Sequence, residues 1–66
     1  ELLGAREREV LKLMAEGKTS KEIGTRLDLA VKTIETHRRN IAQKVGLHSV
    51  AELTKYAVRE GLTTLE

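Results

Sequence analysis

Apolar residues recur along this chain at the three- and four-residue spacing of amphipathic helices. In residues 5–16, Val10, Leu13 and Met14 fall on one stripe, with Leu11 beside it. No segment alternates apolar and polar residues in the way that a half-buried strand does. The pattern therefore predicts an all-α protein.

Glycines mark the ends of the helical segments. Gly17, Gly46 and Gly61 each stand where a left-handed glycine commonly ends a helix. Together with the apolar spacing, they divide the chain into four helices of one compact domain. The predicted helices span about residues 5–16, 20–28, 31–45 and 49–60.

Side chains that can cap a helix precede the second and fourth helices. Thr19 with Glu22, and Ser49 with Glu52, have the spacing of a capping box, in which each residue's side chain binds the other's backbone amide. In the fourth helix, the residues predicted to face the core are Val50, Leu53 and Ala57.

The loop between the second and third helices is only residues 28–30, so the chain must change direction sharply there. Gly24 lies inside the second helix, where glycine costs about 1 kcal/mol relative to alanine. A close approach of the two helices would explain why that cost is accepted. These features predict a helix-turn-helix unit.

The third helix has two contrasting faces. Ile41 and Val45 lie within about 20° of Ile34 on a helical wheel, so this stripe faces the core, with His37 and Arg38 at its edges. Side chains that hydrogen-bond to bases and phosphates occupy the other face. They are Lys32, Thr36, Arg39 and Gln43, with Glu35 and Asn40 at the margins. Such a helix suits the major groove of DNA.

Positive charge is concentrated in the same region. The 66-residue chain has a formal net charge of only +2, yet residues 31–45 carry four basic side chains and a single acid. A second polar and basic cluster begins the second helix, where free amides and the helix dipole favour a phosphate. It consists of Lys18, Thr19, Ser20 and Lys21.

The composition argues against several other functions. The chain has no cysteine for a disulfide or a thiolate metal site, which suits a reducing cytoplasm, and a single aromatic residue, Tyr56, cannot form a base-stacking platform. His37 and His48 lack a third zinc ligand. Glu7 and Glu9 point apart on a helix and cannot form a carboxylate pair, so we interpret them as complements to the helix dipole. No apolar run approaches the roughly 20 residues that span a membrane. We predict no enzyme, no cofactor and no metal.

Three stretches carry a likeness to a known family: REREVLKLMAEGKTSKEIGTRLDL (6–29), KTIETHRRNIAQKVGLHSVAEL (32–53) and YAVREGL (56–62). Together they resemble the LuxR/NarL-type, or GerE-like, helix-turn-helix effector domain of bacterial transcription regulators. The resemblance implies a four-helix unit that binds palindromic or repeated DNA sites as a dimer and is joined to a receiver or sensing domain. The chain begins at Glu1 rather than Met, so we expect residues 1–66 to be the C-terminal domain of a longer regulator.

The resemblance and the helix faces together assign site residues by position. Base contacts are expected at Lys32, Glu35, Thr36 and Arg39. Phosphate contacts are expected at Lys18, Thr19, Ser20, Lys21, Asn40, Gln43 and Lys44. The dimer surface is expected on the fourth helix, at Ala51, Thr54 and Val58.

Three positions depart from the family pattern. Gly4, Gly24 and Ala30 stand where the family usually has Thr, Ala and Ser. Glu7 therefore keeps only half of a capping box, and Ala30 is a poor cap that costs about 1 kcal/mol. None of the three lies on the outer face of the third helix, so they bear on affinity and stability rather than on function.

Glu35 is unusual on a DNA-facing surface, because phosphates repel a carboxylate. It could accept a hydrogen bond from a cytosine amino group, or it could orient Arg39, four residues further along the helix. The spacing suits an ion pair and favours the second interpretation.

The combined observations favour sequence-specific binding of double-stranded DNA by a cytoplasmic transcription regulator, with residues 31–45 in the major groove. RNA polymerase is a further candidate partner. Two alternatives stay open. The chain could be a promoter-recognition domain of a sigma factor, which shares the helix-turn-helix and the EREVL opening, or a helical module whose basic helix meets an acidic protein.

Overall fold

The computed structural model describes residues 3–46 and 49–63. Over these residues it contains no strand and four helices, which are α1 (Ala5–Ala15), α2 (Ser20–Leu27), α3 (Val31–Val45) and α4 (Val50–Arg59). The predicted all-α fold with four helices is confirmed, and the helix ends differ from prediction by single residues.

Helix α1 packs against each of the other three helices. Its predicted stripe is buried, and Val10 and Leu11 are fully inaccessible to solvent. Ile23 of α2 and Ile34 and Ile41 of α3 join them in one apolar cluster and are also fully buried. Burying a side chain of this size contributes about 1.5–3 kcal/mol. The core therefore holds the inner face of α3 firmly in place.

The turn between α2 and α3 is closed by backbone hydrogen bonds. Asp28 ends α2 in the left-handed conformation, at φ 58° and ψ 46°, and its N–H donates to the carbonyl of Gly24. The N–H of Leu29 donates to the same carbonyl at 2.8 Å. Ala30 then precedes α3 without a side-chain cap, as its identity predicts. The predicted helix-turn-helix is thus formed by α2, this turn and α3.

Gly24 is buried where the turn folds back over α2. A Cβ atom at this position would lie 2.6 Å from the carbonyl oxygen of Leu29 and 3.7 Å from Cγ1 of Ile34. The close approach predicted from this glycine is present, although its nearest partner is the backbone of the turn rather than a side chain of α3.

Gly24→Val is expected to destabilise the domain by about 1–3 kcal/mol, because a branched side chain must displace the backbone of the turn. Thr25→Val is the matched control: it introduces the same side chain at the next, exposed position and should change the free energy of unfolding by about 0.5 kcal/mol or less. Urea unfolding followed by circular dichroism measures both. Equal effects of the two substitutions would contradict the role assigned to Gly24.

Helix α4 packs against α1 and buries Leu53 and Ala57, as predicted. The prediction for Val50 is wrong, because this side chain is 53% exposed. Val50 has the correct angular position but lies in the first turn of α4, where it borders an open cleft that Met14 and Arg39 also line. Helical spacing gives the direction of a side chain and not whether the core extends far enough to cover it.

The two predicted capping boxes differ in the structure. In α2 both halves form: the N–H of Glu22 donates to Oγ1 of Thr19 at 3.1 Å, and the N–H of Thr19 donates to Oε1 of Glu22 at 2.8 Å. In α4 the N–H of Glu52 donates to Oγ of Ser49, but Oε1 of Glu52 accepts from that hydroxyl rather than from the backbone. The second box is therefore only half formed.

Candidate nucleic-acid interface

The outer face of α3 is accessible along the helix. Lys32, Glu35, Arg39 and Gln43 are exposed, whereas Thr36 and Asn40 are half-buried. Oγ1 of Thr36 donates to the carbonyl oxygen of Lys32 at 3.1 Å. The hydroxyl of Thr36 therefore offers a further partner its lone pairs, and the side chain also offers a methyl group.

A side-chain hydrogen bond ties the start of α2 to α3. Ser20 is buried, and its Oγ accepts from Nη1 of Arg38 at 2.9 Å. The sequence pattern places Arg38 only at the edge of the apolar stripe, and a partner 18 positions away gives no local signal. Because Ser20 only accepts in this bond, its O–H and the free backbone amides at the start of α2 can still donate to a phosphate.

The outer side of α2 is basic. Glu22 is held by the capping box, and its hydrogen bonds with the backbone and hydroxyl of Thr19 lower its pKa. Lys21 is exposed, and Lys18 is half-buried. An open cleft on this side of the helix is lined by Lys18, Lys21, Glu22, Thr25 and Arg26.

Lys44, a predicted phosphate contact, already has a partner within the domain. Its Nζ lies 2.8 Å from Oε1 of Glu7, and the Glu7 side chain is only 8% exposed while that of Lys44 is 44% exposed. The same carboxylate oxygen accepts from the N–H of Gly4 at 3.0 Å, which is the predicted half of a capping box. The interpretation of Glu7 as a dipole complement misses this role: its carboxylate links the start of α1 to the last turn of α3.

The pH dependence of stability should report this link. The ammonium of Lys44 first, and then the N–H of Gly4, hold the pKa of Glu7 below its ordinary value of 4.5. Such a carboxylate stabilises the fold above its unfolded-state pKa, and the contribution is lost as pH falls through the folded-state value. Glu7→Gln is therefore expected to lower the free energy of unfolding by about 1–2 kcal/mol at pH 7 and by less at pH 3.

Glu9→Gln is the control for that measurement. Glu9 is on the same helix, and its ion pair with Arg6, at 3.3 Å, is well exposed. Such a pair contributes about 0.5 kcal/mol or less. Urea titrations of both variants and the parent chain at pH 7 and pH 3 give the comparison. A Glu7→Gln penalty of the same size at both pH values would contradict the assigned role.

The predicted ion pair between Glu35 and Arg39 is not formed. In the part of the chain that the structure describes, neither an ion pair nor a hydrogen bond engages the carboxylate of Glu35. Arg38, three residues along, is directed to Ser20 instead. The polar residues bordering the cleft beside α4 are Glu35, Arg38 and Arg39, and its apolar lining is Met14, Ala42, Val50 and Leu53.

Within the residues that the structure describes, the other candidate residues form no metal site. No group of three or more His, Cys, Asp or Glu residues within the described residues could hold a metal ion. His37 is half-buried, and His48 lies outside the residues that the structure describes.

Tyr56 packs at the edge of the core, with the Arg59 guanidinium 5.7 Å from the centre of its ring. In the described ranges, no helix is both long and apolar enough to cross a membrane.

The flank of α4 predicted to form a dimer contact is accessible. Ala51 is exposed, and Thr54 and Val58 are half-buried. These three residues lie about 100° to 160° around the helix from Leu53, which faces the core.

A short helix, a tight turn and a third helix with one buried and one polar face define a helix-turn-helix domain of the kind found in DNA-binding proteins. Residues 1–57 match the luxR family of bacterial regulatory proteins, and the chain belongs to this family. The resemblance inferred from the sequence is confirmed. The family is one of DNA-binding transcription regulators and not of enzymes.

Individual relatives agree with this assignment. The chain is 53% identical over 60 residues to the uncharacterized response regulatory protein YgeK of Escherichia coli (strain K12), a match that covers 91% of this chain and 41% of that protein. It is 44% identical over 61 residues to the oxygen regulatory protein NreC of Staphylococcus aureus (strain JH9), covering 92% and 28%. The solved structure of the transcription factor GerE superposes with a TM-score of 0.85 at 30% identity, covering 100% of this chain and 98% of that one. The chain thus spans less than half the length of the first two relatives.

Proposed function

We propose that this chain binds specific double-stranded DNA sequences for a bacterial transcription regulator, with α3 in the major groove. The observation that carries the proposal is the division of α3 into two faces. Ile34 and Ile41 are fully buried, whereas the opposite face is polar and accessible. The major groove of B-DNA, about 12 Å wide, admits a helix presented in this way.

Lys32, Thr36 and Arg39 face base edges in this arrangement. Arg39 is the best candidate for guanine, because a guanidinium can donate to O6 and N7 of that base together. Thr36 donates its hydroxyl proton within α3, so its methyl group suits the methyl group of thymine, and its oxygen can accept from an amino group.

Phosphates are held on either side of the groove by the start of α2 and the later turns of α3. Lys21 and the amides near Ser20 carry most of this contact, because Lys21 is exposed and free amides attract anions. Lys44 contributes less than Lys21, since its charge is already paired with Glu7. The remaining polar groups on the phosphate side are Lys18, Thr19, Asn40 and Gln43.

Binding measured at two salt concentrations tests the proposal, using a duplex chosen by selection from random sequences. Lys21→Ala is expected to weaken binding to all sequences alike and to reduce the slope of log affinity against log salt by about 1. Lys12→Ala, which removes an exposed lysine from α1, outside the helix-turn-helix, should leave the slope unchanged. If the NMR signals of α3 do not move when the selected duplex is added in dilute buffer, the proposal is wrong.

On DNA, two copies are proposed to meet through the flank of α4 formed by Ala51, Thr54 and Val58. This flank is accessible while the opposite side of α4 is buried. Sedimentation with a duplex that carries two half-sites is expected to give two chains per duplex. A strict one-to-one complex would contradict the dimer.

The domain is proposed to be the C-terminal part of a longer cytoplasmic regulator with a receiver or sensing domain, and RNA polymerase is a candidate partner. The support is the greater length of the response regulatory protein YgeK, of which the chain covers 41%. Reading the coding sequence on both sides of residues 1–66 tests the domain arrangement. A continuous reading frame without such a domain would refute it.

A further inference from the structure

We infer that Glu35 reads a cytosine: its carboxylate accepts a hydrogen bond from the N4 amino group in the major groove and so fixes one position of the operator. This inference rests on the proposed function, since it requires α3 to enter the groove. It differs from the role in orienting Arg39 that the residue spacing favours.

No structural interaction within the described residues accounts for the Glu35 carboxylate. The residue is exposed, and the carboxylate has no ion-pair or hydrogen-bond partner there. Its neighbour Arg38 donates to Ser20. Glu35 also lies beyond the first turn of α3, which contains no acid, so the free amides of the helix start do not stabilise its charge.

On a surface that approaches phosphates, an unpaired carboxylate weakens binding to every sequence unless a hydrogen-bond donor meets it. The major groove offers two such donors on base edges, the amino groups of cytosine and adenine. Adenine carries the N7 acceptor beside its amino group, and a carboxylate, which only accepts, is repelled there. Cytosine has no acceptor at that place, so the carboxylate favours cytosine.

The position of Glu35 relative to Arg39 also limits how far apart the two bases that they read can lie in the operator. Four residues along a helix advance about 6 Å, and successive base pairs are about 3.4 Å apart. The cytosine read by Glu35 should therefore lie within about two base pairs of the guanine read by Arg39. Both side chains border the cleft beside α4, so they lie on the same flank of α3.

Selection of binding sites from random duplexes, followed by titration, tests the inference with the parent chain, Glu35→Gln and Glu35→Ala. The parent chain is expected to select cytosine at one position, and replacing that base with adenine should weaken binding about 5- to 150-fold. Glu35→Gln should prefer adenine there, because an amide pairs with both N6 and N7. Glu35→Ala should lose the preference at that position alone. Far-UV circular dichroism verifies that the exposed substitutions leave the helices intact.

Glu60→Gln is the matched control, because it removes the same charge at the exposed end of α4 and should retain the parent motif. An unchanged cytosine in the motifs of both Glu35 variants would overturn the inference and leave the proposed function standing. A Glu35→Ala variant that binds all sequences more tightly by one common factor would also overturn it, since Glu35 would then act by repulsion only. If the parent chain selects no motif, the proposed function and this inference fall together.

Discussion

Ile41→Ala is expected to leave a large fraction of the molecules unfolded at room temperature. Ile41 is fully buried in the cluster that joins α1, α2 and α3. Truncating such a residue costs about 2–5 kcal/mol, because the lost burial is compounded by a cavity. A core of this size rarely supplies more than about 3–5 kcal/mol in total. One substitution therefore removes most of the stability of the domain.

Thermal unfolding followed by circular dichroism gives the measurement. A loss of 2 kcal/mol or more should lower the midpoint by at least about 10 °C in a domain of this length. Val31→Ala is the control on the same helix: its side chain is 46% exposed, and the midpoint should change by only a few degrees. A midpoint for Ile41→Ala equal to that of the control would show that α3 is not held by this core.

The largest effect on DNA binding is expected from Arg39→Ala, which should cost about 1–3 kcal/mol on the selected site. Arg39 is exposed, and no hydrogen bond or ion pair engages its guanidinium within the described residues. Folding should therefore be unaffected, and the loss should concern the interface alone. The preference for guanine at one position should disappear.

Arg39→Lys separates charge from base recognition. Lysine keeps the positive charge but lacks the planar fork that donates twice to guanine. This variant should retain the salt dependence of the parent chain and lose much of its preference at the guanine position. Affinity titrations against the selected duplex and its single-base variant distinguish the two roles. If Arg39→Ala weakens binding to both duplexes by the same factor, Arg39 contacts a phosphate and not a base.

The fold could be predicted from the sequence because its main signals are local. The spacing of Val10, Leu13 and Met14, and of Ile34 and Ile41, identifies buried stripes that depend only on helical geometry. The residues that cap a helix or form a turn also lie within a few positions of one another in the sequence. Val50 shows the limit of this reasoning, because its direction was predictable and its distance from the edge of the core was not.

The contacts that organise the candidate interface were less predictable. The partners Glu7 and Lys44 are 37 positions apart, and Ser20 and Arg38 are 18 apart, so their pairing depends on how the helices pack. For Glu35 and Arg39, by contrast, the sequence spacing suggests a contact that the structure does not contain. Their spacing permits an ion pair but does not require one, because exposed side chains gain little by holding a single arrangement. The sequence was sufficient to predict which residues form the outer face of α3. The DNA contacts of these residues are still predictions.

The hydrogen bond between Arg38 and Ser20 links α2 directly to α3. Because neither partner is among the side chains proposed to read bases, Lys32, Glu35 and Arg39 can be exchanged without loosening the frame that aims them. A descendant of this sequence could thus acquire a different target through a few surface replacements while retaining its angle of approach. The residues that would read DNA and the residues that hold the two helices together can therefore change independently in evolution.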